Sequence, residues 1–133
     1  MSNNSTKPQV LLVDDETHVR HYMKSILTKM NCDVIGEGQN GTEAVELYKK
    51  HIPNLIFLDV NMPGKNGNEA LMEIIAEFPK AFVIMLSSVS DMETVKKCIE
   101  LGARNYILKS ASLNEIKLAI KESWDEYRSE NRG

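Results

Sequence analysis

The residues of this sequence best suited to chemistry stand directly after short apolar runs. They comprise three carboxylates, two hydroxyls and one ammonium group: Asp14, Asp15, Asp59, Ser87, Ser88 and Lys109. Each has an ordinary structural explanation when taken alone, because acids before a helix complement its dipole and serines often occupy turns. The set indicates chemistry only if the fold brings its members together.

A cluster of this composition would bind a metal ion and an anion. Two like charges about 4 Å apart repel by roughly 4 kcal/mol at an effective dielectric constant of 20, so neighbouring aspartates require a cation. No His or Cys follows the apolar runs, and oxygen ligands alone favour Mg²⁺, or Mn²⁺, over zinc. A carboxylate beside such an ion can attack phosphorus. Lys109 and Ser87 would then hold the oxygens of the transferred group.

Five apolar runs alternate with longer segments of helical periodicity, and this alternation predicts the architecture. The runs are Val10 to Val13, Val34 to Ile35, Leu55 to Leu58, Phe82 to Leu86 and Tyr106 to Leu108. Their first residues are 24, 21, 27 and 24 positions apart, which fits a strand plus a crossover helix rather than a hairpin. The sequence therefore predicts an α/β domain with a parallel five-stranded sheet between helices. Ligands of such sheets bind at the carboxyl ends of the strands.

Capping residues predict where the helices begin. Four pairs have capping-box spacing: Asn40 with Glu43, Asn66 with Glu69, Ser90 with Glu93, and Ser112 with Glu115. Gly102 suits the end of a helix, where a left-handed residue is needed. We expect one domain over residues 9–127, a disordered segment over 1–8 and a polar tail over 128–133.

Composition excludes several classes of protein. The chain has 133 residues and a net charge of -3, whereas domains that bind nucleic acid directly cluster Lys and Arg. No run of about 18 apolar residues predicts a membrane span, and the polar N-terminus lacks the apolar stretch of a signal peptide. We therefore expect a cytoplasmic protein in which Cys32 and Cys98 are reduced thiols.

Four motifs together resemble a known family. They are LLVDDE at 11–16, LIFLDVNMPGKNG at 55–67, IMLSS at 84–88 and GARNYILK at 102–109. In this order and spacing the chain resembles the receiver domain of two-component response regulators, the CheY-like superfamily. The resemblance implies a doubly wound (βα)5, flavodoxin-like fold with strand order 2-1-3-4-5.

The resemblance also implies roles for individual residues. Asp59 matches the phosphoacceptor, and Lys109 matches the lysine that pairs with the phosphoryl group. Asp15 matches a direct Mg²⁺ ligand, while Asp14 contributes to the same acidic pocket, partly through water. Asn61 is expected to add its backbone carbonyl to the metal.

Three further positions match the parts that respond to phosphorylation. Ser87 matches the switch hydroxyl, and Tyr106 matches the aromatic switch on the fifth strand, although it could instead be a plain buried strand aromatic. Asn61 and Ser88 match positions that tune dephosphorylation.

The resemblance implies partners as well. A sensor histidine kinase or a phosphotransfer protein would supply the phosphoryl group. An output protein or a C-terminal output domain would recognise the face formed by the fourth helix, fifth strand and fifth helix. Such a switch catalyses only its own phosphorylation and dephosphorylation and is not otherwise an enzyme.

One position departs from the family pattern. Ser110 follows Lys109 where receivers often have proline, so this peptide bond is expected to be trans. A residue other than proline at this position and the sequence at 34–48 are both similar to those of the NarL-type regulators. The receivers of these regulators precede a DNA-binding domain.

Three alternatives compete with the receiver interpretation. A haloacid-dehalogenase-type phosphatase would have the motif Asp-x-Asp at its nucleophile. Here the residue two positions after Asp59 is Asn61. A P-loop would need Ser or Thr after Gly64-Lys65 and a glycine at position 59. A receiver used only for protein interaction would not need its full set of acids, hydroxyl and lysine.

Overall fold

The computed structural model of the chain describes residues 7–131 as alternating strands and helices. The strands are β1 (Gln9–Val13), β2 (Asp33–Gly38), β3 (Leu55–Asp59), β4 (Val83–Ser87) and β5 (Asn105–Leu108). The helices are α1 (Thr17–Lys29), α2 (Gly41–His51), α3 (Gly67–Glu77), α4 (Met92–Leu101) and α5 (Leu113–Glu130). A single 3₁₀ turn, Val89–Asp91, precedes α4.

The strands form one parallel sheet in the order β2-β1-β3-β4-β5, which confirms the predicted topology. All residues of β3 and β4 are buried, and so is β1 beyond Gln9, whereas the edge strands are partly exposed. This difference explains why the three central strands are continuous apolar runs. The order places the carboxyl ends of β1, β3 and β4 side by side, with β5 next to β4.

Two hydrophobic cores lie on opposite faces of the sheet. On one face, α2, α3 and α4 pack over residues that include Leu58 and Met85. On the other face, α1 and α5 pack over residues that include Phe57 and Ile84. Adjacent residues of a strand thus serve different cores, as the two-residue period of a strand requires. Each face contains one buried free thiol, Cys98 and Cys32 respectively, so neither cysteine forms a disulfide.

The capping predictions are confirmed at two helices, confirmed in part at a third and wrong at a fourth. Complete capping boxes form between Asn66 and Glu69 and between Ser112 and Glu115. At α2 the Asn40 side chain accepts from the backbone of Glu43, but the Glu43 carboxylate accepts from Gln39 N instead. The box predicted between Ser90 and Glu93 is wrong. Ser88 and Asp91 form it instead, because a 3₁₀ turn begins two residues earlier than the predicted helix.

Both ends of the domain extend slightly beyond the predicted limits. The α5 helix continues three residues past Tyr127 to Glu130, where Arg104 forms ion pairs with Glu126 and Glu130 and lies over the ring of Phe82. At the other end Pro8 is buried, and its carbonyl accepts the backbone N–H of Asp33 at 2.7 Å. The rest of the predicted disordered segment, residues 1–6, lies outside the described residues. Within 7–131 no helix has the length and apolar character to cross a membrane.

Gly67, the first residue of α3, allows this helix to begin directly against the end of β3. A Cβ atom at this position would lie 2.0 Å from the carbonyl oxygen of Asp59 and 2.9 Å from Cα of Val60. Both are backbone atoms, which cannot rotate away. The Gly67 N–H in turn donates to the Val60 carbonyl at 2.9 Å. The absence of a side chain at Gly67 therefore sets the position of Asp59.

We expect Gly67→Ala to lower the free energy of unfolding by about 3 kcal/mol, since the methyl group overpacks against a rigid backbone. Gly64→Ala is the matched control. Its Cβ would meet nothing within 4 Å, but its φ of 71° should cost about 1 kcal/mol for a residue with a side chain. Urea denaturation of the two variants measures the difference. Equal losses would contradict the close approach at Gly67.

Candidate functional site

The carboxyl ends of β1 and β3 bring the three predicted aspartates together. One oxygen of each, from Asp14, Asp15 and Asp59, lies within 4.8 Å of the other two. Asp14 is fully buried and Asp59 is 2% exposed, whereas Asp15 is exposed at the rim. The acidic pocket predicted from the strand ends is confirmed as a geometric cluster, with one side open to solvent.

Lys109, directly after β5, places its ammonium group among these acids. Its Nζ lies 3.0 Å from Asp14 Oδ2, 3.1 Å from Asp59 Oδ1 and 3.3 Å from Glu16 Oε1. The contact with Glu16 has hydrogen-bond geometry, and the two buried aspartates lie at ion-pair distance from the lysine. Glu16 is thus a contributor that the sequence reasoning did not assign to the site.

The backbone around Lys109 holds it in position without the usual proline. Its N–H donates to the carbonyl of Ser87 at 2.8 Å, which aligns the end of β5 with the end of β4. Every peptide bond in the described part of the chain is trans, including the bond to Ser110, as predicted. The serine therefore does not displace the ammonium group from the acidic pocket.

Three buried polar atoms at the centre of the site make no hydrogen bond within residues 7–131. They are Asp14 Oδ2, Asp59 Oδ2 and Ser87 Oγ. A buried polar group without a partner costs roughly 1–3 kcal/mol, so these atoms indicate a place for a group that the protein does not itself provide. The donor set is composed of oxygens, which fits Mg²⁺ or Mn²⁺. The side chains of Asp14, Asp15 and Asp59 would hold such an ion.

The electrostatics of the site show the same shortage of positive charge. Burial and then the negative charge of Asp14 raise the pKa of Asp59 from 3.8 to about 7, although Lys109 opposes both effects. Burial lowers the pKa of Lys109, but its contacts with Asp14 and Asp59 more than compensate, so this pKa lies above its ordinary value. The lysine stays charged, and one lysine does not neutralise the cluster.

Arg20 on α1 is a buried residue of the site that the sequence reasoning missed. Its guanidinium donates to the backbone carbonyl of Asp14, and its Nε pairs with Glu37 at 3.5 Å. The signal was present in the sequence, because Arg20 lies three and seven residues before Met23 and Leu27 on the apolar face of α1. A charged residue on such a face requires a buried partner.

Of the remaining predicted residues, Asn61 and Ser88 follow the ends of β3 and β4, and Tyr106 lies within β5. Asn61 directs its backbone N–H to Asp59 Oδ1 at 3.3 Å, while its side chain and that of Ser88 both bond to Asp91. The participation of the Asn61 carbonyl in metal binding remains a prediction. Tyr106 is 38% exposed, so the alternative of a plain buried strand aromatic is wrong.

Comparison with known proteins shows the same pattern of sequence and fold. Residues 10–121 match the family model described as response regulator receiver domain. The chain is 42% identical over 112 residues to Protein CcdB of Bacillus subtilis, which covers 84% of this chain and 93% of that protein. It is 40% identical over 114 residues to the chemotaxis protein CheY of Thermotoga maritima, covering 86% and 95%.

A solved structure aligns over a similar extent. The CheX-CheY-BeF3-Mg+2 complex from Borrelia burgdorferi has a TM-score of 0.83 and 30% identity, with coverage of 90% of this chain and 92% of the other.

The raised pKa of Asp59 predicts an unusual pH dependence of stability without divalent ions. Between about pH 4 and pH 7 the folded protein binds a proton at Asp59 that the unfolded chain has lost, so the contribution of Asp59 to stability falls with rising pH by about 1.4 kcal/mol per unit. Asp59→Asn removes this pH dependence. The free energy of unfolding of the variant, relative to that of the natural chain, should therefore rise across that range. Chemical denaturation in EDTA at several pH values measures it. Asp33→Asn, on an exposed acid of β2, should show no such trend, and parallel curves for Asp59→Asn would contradict the assignment.

Proposed function

Because the chain belongs to the response regulator receiver family of two-component signalling, we propose that Asp59 is its phosphoacceptor. A sensor histidine kinase or a phosphotransfer protein is the donor. The observation that carries the proposal is the buried Asp59 carboxylate, which has one oxygen without a partner and lies beside Lys109 and two further acids. The arrangement suits a nucleophile that must accept added negative charge.

In the reaction, an Asp59 oxygen attacks the phosphorus of the donor. The bond between phosphorus and the donor nitrogen breaks, and the imidazole leaves with the electron pair. Mg²⁺, when bound by the acids and the Asn61 carbonyl, would neutralise charge between the attacking and transferred oxygens. The raised pKa of Asp59 means that the nucleophile must lose its proton before it attacks, and the neighbouring ammonium of Lys109 favours that loss.

Lys109 and Ser87 hold the product. The phosphoryl group adds about two negative charges. The Lys109 ammonium, which lies 3.1 Å from Asp59 Oδ1, can pair with that charge. Ser87 Oγ, which has no partner among the described residues, can turn to donate to a phosphoryl oxygen. Both contacts exist only when Asp59 is phosphorylated, so they stabilise the phosphorylated conformation selectively.

The response reaches a surface formed by α4, β5 and α5. Tyr106 lies on β5, three residues before Lys109, and can turn inward into space that Ser87 vacates. The same surface exposes apolar side chains from each element: Ile99, Leu101, Tyr106, Leu113 and Leu118. A change in this apolar surface would alter its affinity for an output protein or an output domain.

The donor approaches through the open side of the site. A cleft of about 280 Å³ beside the acids is lined by Glu16, His18 and Lys109 and by an apolar wall from α1 and α5. The rim residues Asp15 and Glu16 are exposed. A protein donor that docks along α1 would lie beside this cleft and the exposed acidic rim.

We expect Mg²⁺-dependent incorporation of phosphate from acetyl phosphate, with a stoichiometry that does not exceed one phosphoryl group per chain. Asp59→Asn should abolish it, because an amide cannot attack phosphorus, whereas Asp33→Asn should label normally. Radiolabelling with an acid and base stability profile identifies the acyl phosphate. Undiminished labelling of the Asp59 variant would disprove the assignment, and release of many equivalents of phosphate would favour a phosphatase instead.

Phosphorylation should also bury Tyr106. The Borrelia burgdorferi CheY complex contains BeF3 and Mg+2, so these ions serve as the phosphoryl mimic. With them, the Tyr106 side chain should turn inward from its 38% exposure, while Tyr22 on α1, 47% exposed, should not change. Side-chain rotamers determined with and without the mimic measure this. An unchanged Tyr106 in a protein that binds the mimic would remove it from the switch.

A further inference from the structure

One carboxylate joins the two loops that flank Asp59. Asp91 Oδ1 accepts from the side-chain amide of Asn61 at 2.6 Å. Its other oxygen accepts from the backbone N–H of Ser88 at 3.1 Å and from the Ser88 hydroxyl at 2.8 Å. Asn61 follows β3 and Ser88 follows β4, so Asp91 bridges the ends of two central strands outside the sheet.

This bridge has the character of a strong contact. Slight burial raises the pKa of Asp91. The hydrogen bonds from Ser88 and Asn61 lower it by more, so the pKa lies below its ordinary value. The carboxylate is therefore ionised at neutral pH, and hydrogen bonds to an ionised acceptor are shorter and stronger than neutral ones. The two bonds from Ser88 fix the carboxylate, which in turn fixes the direction of the Asn61 amide.

The Asn61 amide is placed where it could act on phosphorylated Asp59. It stands two residues after Asp59, and its own backbone N–H already contacts Asp59 Oδ1. In hydrolysis, water attacks phosphorus, the bond between phosphorus and the Asp59 oxygen breaks, and carboxylate and inorganic phosphate result. A free amide beside this path can hold the water by a hydrogen bond. An amide bonded to Asp91 is not available for that role.

We propose that Asp91 is a positioning residue that lengthens the lifetime of phosphorylated Asp59 by holding the Asn61 amide away from the attacking water. The inference rests on the proposed function, since it concerns the phosphorylated form of Asp59. It assigns a role to a residue of the 3₁₀ turn whose hydrogen bonds are with Asn61 and Ser88. The proposed effect passes through the bond to Asn61.

The experiment compares decay of the acyl phosphate in four chains: natural, Asp91→Ala, Asn61→Ala and the double variant. Each is labelled with acetyl phosphate and Mg²⁺, separated from the donor, and followed with time. Asp91→Ala should speed decay by about threefold or more when Asn61 is present, as expected for coupled neighbours. It should have no effect when Asn61 is replaced. Equal acceleration in both backgrounds, or none in either, would overturn the proposal.

Two further variants separate the amide contact from charge and from helix stability. Asp91→Asn removes the charge but keeps an oxygen that can accept from Asn61, so its decay should lie closer to the natural chain than to Asp91→Ala. A rate equal to that of Asp91→Ala would assign the effect to charge and overturn the proposal. Glu93→Ala, which removes an exposed acid two residues after Asp91 at the start of α4, should leave decay unchanged.

The outcomes distinguish this proposal from the proposed function. A natural chain that takes up no label would disprove Asp59 as phosphoacceptor. A chain that labels on Asp59 but decays at a rate independent of the pairing between Asp91 and Asn61 would disprove only the role of Asp91. Thermal unfolding of every variant, measured alongside, identifies any loss of label that follows from unfolding.

Discussion

The structure depends on keeping a single ammonium group among buried acids that repel one another. Lys109 lies about equally far from Asp14 and Asp59, at 3.0 and 3.1 Å, and no other cation within residues 7–131 contacts these two side chains. This pairing reduces the cost of burying two carboxylates, which would be large without a partner. It does not remove the cost, since Asp59 still holds its proton up to about pH 7. A divalent cation held by these acids would neutralise the excess negative charge, and the phosphoryl group proposed for Asp59 would pair with the same lysine.

The positions of the strands, and the fact that they are parallel, can be predicted from local sequence patterns. Continuous apolar runs distinguish the buried strands β1, β3 and β4 from the edges, and their spacing admits only crossover connections. Since parallel strands end at one edge, Asp14, Asp59 and Lys109 must converge once the topology is known. The order of the strands and the roles of single residues came instead from resemblance to a family, because periodicity does not specify which strands are neighbours.

What escaped prediction was decided by contacts between residues distant in the chain. The predicted cap Ser90 and the observed cap Ser88 are each followed three residues later by an acid, so local spacing cannot choose between them. The choice is consistent with the bond between Asn61 and Asp91, which joins residues 30 positions apart. Arg20 is similar, because its partner is the backbone carbonyl directly after β1 rather than a side chain that a motif could reveal. Propensity and spacing describe neighbours in sequence, and these contacts are not among them.

The ion pairs of Arg104 have a mechanical consequence. This residue immediately precedes β5 and binds Glu126 and Glu130 in the last turns of α5, while Asn105 bonds to Ser123 of the same helix. A helix of 18 residues is about 27 Å long, much longer than the four-residue strand β5 beside it. Because these contacts join the start of β5 to the last turns of α5, we expect the strand and the helix to move together rather than independently.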